Sequence, residues 1–337
     1  MTMPVRRRAG AALLALIAAA AAAADRLTVN PPSQQFSDFV FAPPMPPRLV
    51  DDGGRWHWPF VYPLRLESRL ERRFSEDRQG RMPLRLFAGD ALVTVGDDAP
   101  TPWFPLGTDG LGRDVLARLV VGARISLGVA FVATAGALLL GAAAGAFAGY
   151  FGGYLDEGLM WVADFVIALP AIYVVLALRA AAPLVLTTRQ IFWIMVSVFV
   201  LAGWPLAART VRAVIAVERT REYAEAARSI GAGSARLLLR HLLPATRSLL
   251  AAHATLLLPA FILAEATLSF VGLGFGEPVP SWGLMLQDAG RGRALADAPW
   301  LLAPAAAITL VVLAVNLVSP HATSGTLYSV EHHKSRR

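Results

Sequence analysis

Apolar positions in this chain gather into six long runs with polar stretches between them: Ala9–Ala24, Ile125–Gly149, Gly158–Leu178, Ile191–Ala208, Ser248–Gly274 and Trp300–Val318. A helix needs about 20 mostly apolar residues to cross a bilayer, and five of these runs approach or exceed that length. The pattern predicts an all-α polytopic membrane protein with six transmembrane helices. Three runs, Ile125–Gly149, Ile191–Ala208 and Trp300–Val318, contain no charge, whereas Gly158–Leu178 holds Asp164 and Ser248–Gly274 holds His253 and Glu265. The first run is short, rising about 24 Å at 1.5 Å per residue, and it follows Arg6, Arg7 and Arg8. Such a segment reads either as a retained anchor or as a cleavable signal peptide. Under both readings the chain that follows lies outside.

The segment from 25 to 122 therefore reads as an extracytoplasmic insertion after the first helix. Pro31-Pro32, Pro43-Pro44, Pro46-Pro47 and Pro59 predict extended, irregular chain there. Arg65–Arg78 is its one charged stretch with helical content. Twelve Arg against thirteen Asp and Glu leave the segment near neutrality, as in a small solvated cap.

Composition and charge agree with the runs. Of 337 residues, 55% are hydrophobic and 16% charged, against about 45–50% and 25% in soluble domains. A soluble, disordered or disulfide-stapled protein is excluded. The absence of Cys removes thiolate nucleophiles and Cys-based metal sites. A net charge of +7 would ordinarily suggest a nucleic-acid partner. Much of it, however, sits between Arg209 and Arg247, where eight Arg face three Glu. Lys and Arg favour the cytoplasmic side of short loops. With six spans, that rule puts this loop and both termini in the cytoplasm, and no nucleic acid is called for.

The same loop carries the chemistry. It runs Arg221-Glu222-Tyr223-Ala224-Glu225-Ala226-Ala227-Arg228-Ser229-Ile230-Gly231-Ala232-Gly233, then Ser234–His241, then Leu242-Leu243-Pro244. Helix formers predict a helix over about Val217–Ser229. Gly231 and Gly233 supply a cap and a turn, Ser234 an N-cap for a second helix, and Pro244 an end or kink. Ala224, Ala226 and Ala227 form a small face that admits another surface. Glu225, Ala226, Ala227, Gly231, Leu243 and Pro244 fall on a fixed spacing, Glu-Ala-Ala, three residues, Gly, nine residues, then Ile-x-Leu-Pro, with His241 in the Ile position. This segment resembles the EAA loop of ABC importer permeases. Leu106-Gly107-Thr108-Asp109, Gly112-Arg113-Asp114-Val115-Leu116, Arg118-Leu119 and Gly122–Leu127 look like the start of the permease core in the dipeptide, oligopeptide and nickel group. Leu268-Ser269-Phe270, Gly272-Leu273-Gly274 and Pro280-Ser281-Trp282-Gly283 are similar to that group's segment after the fifth span.

The resemblance runs from about Leu106 to Asn316 and implies the type I ABC importer permease fold in a bacterial inner membrane. It also implies Glu222, Tyr223, Glu225, Ala226, Ala227, Gly231, Leu243 and Pro244 as ATPase-coupling residues. The partners it implies are ABC ATPase subunits, a second permease chain in a heterodimer, and an extracytoplasmic solute-binding protein, for which loops such as Pro278–Asp288 are docking candidates. No cofactor is expected in the chain itself, because a P-loop needs Gly-Lys-Ser/Thr and the single Lys is Lys334. ATP would be bound and hydrolysed by a partner, and the chain is not expected to be an enzyme. The division expected is 1–24 anchor, 25–122 insertion, 123–318 permease core with the loop 209–247, and 319–337 tail. The tail departs from the group, whose last span continues into Gly-Asp and Leu-Arg-Asp. Here Asn316 leads into Leu317-Val318-Ser319-Pro320.

Ionisable groups inside spans are functional candidates by default. Asp164 reads as interfacial, met by water or Arg. Glu265 lies deeper and reads either as lining the pathway or as capping a neighbouring helix. His253 reads as a packed polar residue, because metal sites need several convergent ligands. The expected cargo is peptide; a nickel or small-solute permease, a polytopic membrane enzyme and a bare membrane anchor are the alternatives.

Overall fold

The structure, a computed structural model, describes residues 5–88, 91–96, 99–170, 173–174, 176–177, 186–291 and 297–319. The tail past Ser319 and residues 171, 172, 175 and 178 of the third apolar run lie outside the described residues. Helix α1 spans Val5–Ala22 and a single turn, α2, Ala24–Leu27. The membrane bundle continues with α3 (Val115–Phe151), α4 (Gly153–Ala168) and α5 (Thr188–Glu218). After α6 (Glu222–Ser229) and α7 (Ser234–Leu237) come α8 (Arg247–Phe270), α9 (Trp282–Ala289) and α10 (Ala303–Val318).

Among the described residues four helical stretches are long and apolar enough to cross a membrane: Val115–Phe151, Thr188–Glu218, Ser234–Phe270 and Pro299–Val318. The other two expected spans begin as helices, α1 with three Arg in its first turn and α4 with 16 residues. Helix α3 starts ten residues before the apolar run because Asp114 caps it, accepting from the backbone N–H of Leu116 and Ala117.

Glycine determines how closely the bundle packs. Gly141 and Gly145 of α3 lie against α5, where an added Cβ would come within 2.6 Å of Ala207 and 2.3 Å of the Ala208 carbonyl. The small-residue ridge read from the sequence thus finds its partner within the chain. Gly10 does the same for α1, where a Cβ would lie 2.7 Å from the Ala314 carbonyl of α10. Ion pairs Asp156–Arg212 and Asp164–Arg209 tie α4 to α5. His253 shares a 2.7 Å hydrogen bond with Thr210, joining α8 to α5.

The expectation of an all-α chain is corrected between α2 and α3. There β1 (Arg48–Val50), β2 (Trp56–Val61), β5 (Met82–Ala88) and β6 (Ala91–Val95) form an antiparallel sheet in the order β1-β2-β5-β6. A separate hairpin pairs β3 (Leu64–Ser68) with β4 (Arg73–Glu76). The stretch Arg65–Arg78, expected to be helical, is that hairpin. Leu64, Leu66 and Phe74 alternate with polar residues, and period-2 alternation outweighs the helical charge spacing. Ala42, Met45, Val61, Leu64, Met82, Leu84, Trp103 and Phe104 form the core of this β subdomain. Its Pro-rich linkers, Pro31-Pro32 and Pro43-Pro44, are irregular as expected, while Pro59 and Pro83 lie within strands.

Candidate functional site

The loop singled out by its spacing folds as a hairpin at the end of the bundle away from the β subdomain. Its first helix is not continuous over Val217–Ser229 as expected. Helix α5 stops at Glu218 and α6 begins at Glu222, with the turn held by Arg219 Nη1 donating to the Tyr150 carbonyl at 2.6 Å. Gly231 adopts φ 87°, the left-handed conformation expected of a helix-ending glycine. Gly233 does not: it is extended at φ −67° and itself precedes α7, in the place expected for Ser234. The return to the membrane passes through a π turn at Leu238–Leu242 and a 3-10 turn at Leu243–Thr246. Pro244, lacking an N–H, sits in that irregular passage.

The hairpin has two faces. Ala224, Ala227, Leu237, Leu238 and Leu242 are buried against Ala146, Val211 and Ile215 at the ends of α3 and α5. Glu222, Tyr223, Glu225, Ala226 and Gly231 are exposed, and Leu243 and Pro244 are half-buried at the re-entry. The expected small face is therefore divided, with Ala224 and Ala227 closing onto this chain and only Ala226 facing outward. Partial burial, together with the 2.7 Å hydrogen bond it donates to Glu218, holds the Tyr223 phenol above its ordinary pKa. Two apolar residues that the motif does not contain join the exposed face, Ile230 at 87% exposure and Leu239 at 65%. An isoleucine between Ser229 and Gly231, outside any apolar run, was the available signal for the first.

The two other motif stretches, about 160 residues apart, meet at the opposite end. Arg113 bridges Asp109 at 2.7 Å, Glu277 at 2.6 Å and Asp288 at 3.0 Å, and Arg118 reaches Glu277 at 3.3 Å. Burial opposes the Arg113 charge, but Asp109 and Glu277 outweigh it and keep its pKa above the ordinary value. Burial likewise opposes ionisation of Glu277, yet Arg113 and Arg118 hold its carboxyl below the usual range. Trp282 donates from its ring to the Leu119 carbonyl at 2.9 Å and from its backbone to Ser126 at 3.2 Å. Beneath α9, Glu265 is fully buried and accepts the Ser269 hydroxyl at 2.8 Å, with Ser126 and Ser281 also facing its carboxylate. Asp164 is met by Arg209 near the hairpin end.

Long apolar helices closed by glycine contacts, with a propped hairpin at one end, define a helical bundle built to cross a membrane. Residues 141–321 match the family described as binding-protein-dependent transport system inner membrane component, and the chain belongs to it. A Brucella suis protein named a peptide permease is 39% identical over 217 residues, covering 64% of this chain and 69% of its own length. The oligopeptide transport system permease protein OppC of Bacillus subtilis is 36% identical over 217 residues, covering 64% of this chain and 68% of its own. The glutathione transport system permease protein GsiD of Escherichia coli is 40% identical over 220 residues, with coverage of 64% and 68%. A structure of the MetNI methionine ABC transporter in inward-facing conformations aligns with 60% of this chain and 96% of that one, at TM-score 0.46 and 19% identity. The family makes the chain an inner membrane component of a binding-protein-dependent transport system.

Proposed function

We propose that this chain forms half of the translocation pathway for peptides, and that an ATPase in another chain drives it through the α6–α7 hairpin. The observation that carries the coupling is the hairpin's division into two faces. Ala224 and Ala227 clamp α6 to the ends of α3 and α5. A push on the exposed Tyr223, Glu225 and Ala226 would therefore move those spans as levers. Closure of two ATPase subunits on ATP would turn the pathway outward, and hydrolysis would return it.

Charge supports the sidedness. Eight Arg against three Glu between Arg209 and Arg247 favour the cytoplasm for the hairpin, with the termini on the same side and the β subdomain outside. A heterodimeric second permease and a solute-binding protein docking near Pro278–Asp288 complete the assembly. The names of the relatives, for oligopeptides and glutathione, favour peptide cargo. The test is coupling in the reconstituted complex. Glu225→Arg and Gly231→Pro are expected to abolish uptake of labelled peptide while ATPase activity persists, and normal uptake by both variants would refute the assignment.

A further inference from the structure

The β subdomain holds an open depression of about 390 Å³, with Ser37, Asp38 and Val40 on one wall and Leu66, Arg69, Arg72 and Phe74 on the other. Its size falls in the range of small-ligand sites, about 300–1,000 Å³. Asp38 is engaged by Arg69 at 2.5 Å. Arg72 has no carboxylate partner among the described residues; its guanidinium lies over the Phe41 ring, 4.7 Å from the centroid. A stacked guanidinium keeps its N–H edge for a planar, two-oxygen acceptor. The half-buried Val40, Leu66 and Phe74 supply an apolar floor beside it.

Two further features single out this place. Arg72 and Phe41 both occupy the left-handed region, at φ 51° and 55°, a conformation that is costly for bulky side chains and tends to cluster at ligand sites. The back of the depression is also fixed to the bundle. Phe41 N–H donates to the Asp109 carbonyl at 3.1 Å, and its ring lies 3.0 Å from where a Cβ on Gly110 would stand.

We propose that this depression binds the terminal carboxylate of a peptide chain whose last side chain is apolar. Arg72 takes the carboxylate, and Val40, Leu66 and Phe74 take the side chain. Two arginines against one aspartate give the site the sign for an anion. The site belongs to the β subdomain, and its assignment does not depend on which solute the pathway carries.

The test uses the full chain in lipid nanodiscs, with the dipeptide Ala-Phe as probe and calorimetric binding as readout. Ala-Phe is expected to bind in the millimolar range, and its C-terminal amide and the Arg72→Gln variant to lose about tenfold in affinity. Arg73→Gln is expected to bind normally, because that guanidinium is already paired with Glu71 at 3.0 Å. Equal binding of the amide, unchanged binding in Arg72→Gln, or an equal loss in Arg73→Gln would overturn the site. The amide arm decides the matter even if a variant misfolds. A longer peptide ending in Ala-Phe separates the sources: binding equal to the dipeptide assigns the site to chain termini generally, and binding of the dipeptide alone assigns it to free small peptides.

Discussion

Arg124 closes the end of α1: its Nε donates to the Ala21 carbonyl at 2.6 Å, where the helix leaves a backbone acceptor unpaired. The same side chain reaches the Ala22 carbonyl at 2.8 Å and pairs with Asp25 at 2.9 Å, holding that carboxyl below its usual range. A cleavable leader has no reason to be capped by a core helix or to approach α10 through Gly10. The segment is therefore expected to remain in the mature protein. Mass spectrometry of the purified chain should recover peptides from the α1 segment, and a new N-terminus near Asp25 would contradict this. Gly10→Leu should loosen the bundle and increase protease sensitivity.

The α3–α5 contact has no room for side chains at Gly141 and Gly145. Gly145→Leu forces a methylene group into the Ala208 carbonyl, and overpacking of this kind costs about 1–3 kcal/mol. A lowered thermal midpoint in detergent is the expected result. Gly158→Leu, at a position with nothing within 4 Å of an added Cβ, should leave the midpoint unchanged.

Arg113 is 3% exposed and serves three carboxylates. Removing one partner of a buried pair costs about 3–5 kcal/mol, because the remaining charges stay buried. Arg113→Ala is therefore expected to destabilise far more than Glu277→Gln, whose side chain is 44% exposed. Equal losses in denaturant titrations would show that the cluster does not act through burial.

Burial pushes the Asp114 carboxyl up to about 6 from 3.8, against the pull of Asn30. The folded chain then binds more protons than the unfolded one between about pH 4 and 6, so this group's contribution to stability falls as pH rises across that window and is constant above it. Asp114→Asn retains the cap on α3 and is expected to flatten that slope relative to the parent. Midpoints measured at pH 4, 5, 6 and 7 test the difference.

Ile230 and Leu239 are exposed at the hairpin where isolated apolar side chains have no folding role. Ile230→Asp is expected to reduce copurification of the ATPase without lowering the thermal midpoint of the permease. Retention of the ATPase at the parent level would remove Ile230 from the docking face.

Long apolar runs and fixed motif spacing were legible because each is a one-dimensional property. Twenty apolar residues must hydrogen-bond internally in lipid, so Ile125–Gly149, Ile191–Ala208 and Trp300–Val318 predict helices whatever surrounds them. The spacing from Glu225 to Pro244 likewise marks the hairpin without reference to its packing. The β subdomain was not legible in the same way. Charges at helical spacing in Arg65–Arg78 concealed the alternation of Leu64, Leu66 and Phe74, and the strands formed because distant segments paired.

The sequence by itself determined the membrane-spanning class, the place of the hairpin and the absence of a phosphate-binding lysine motif, since these follow from local composition and spacing. Only the tertiary structure decided which alanines of the hairpin face inward, that Gly141 and Gly145 meet α5, and that Arg113 is shared with Glu277 and Asp288. These are contacts between segments far apart in the chain, determined by how helices cross and which charges are buried together.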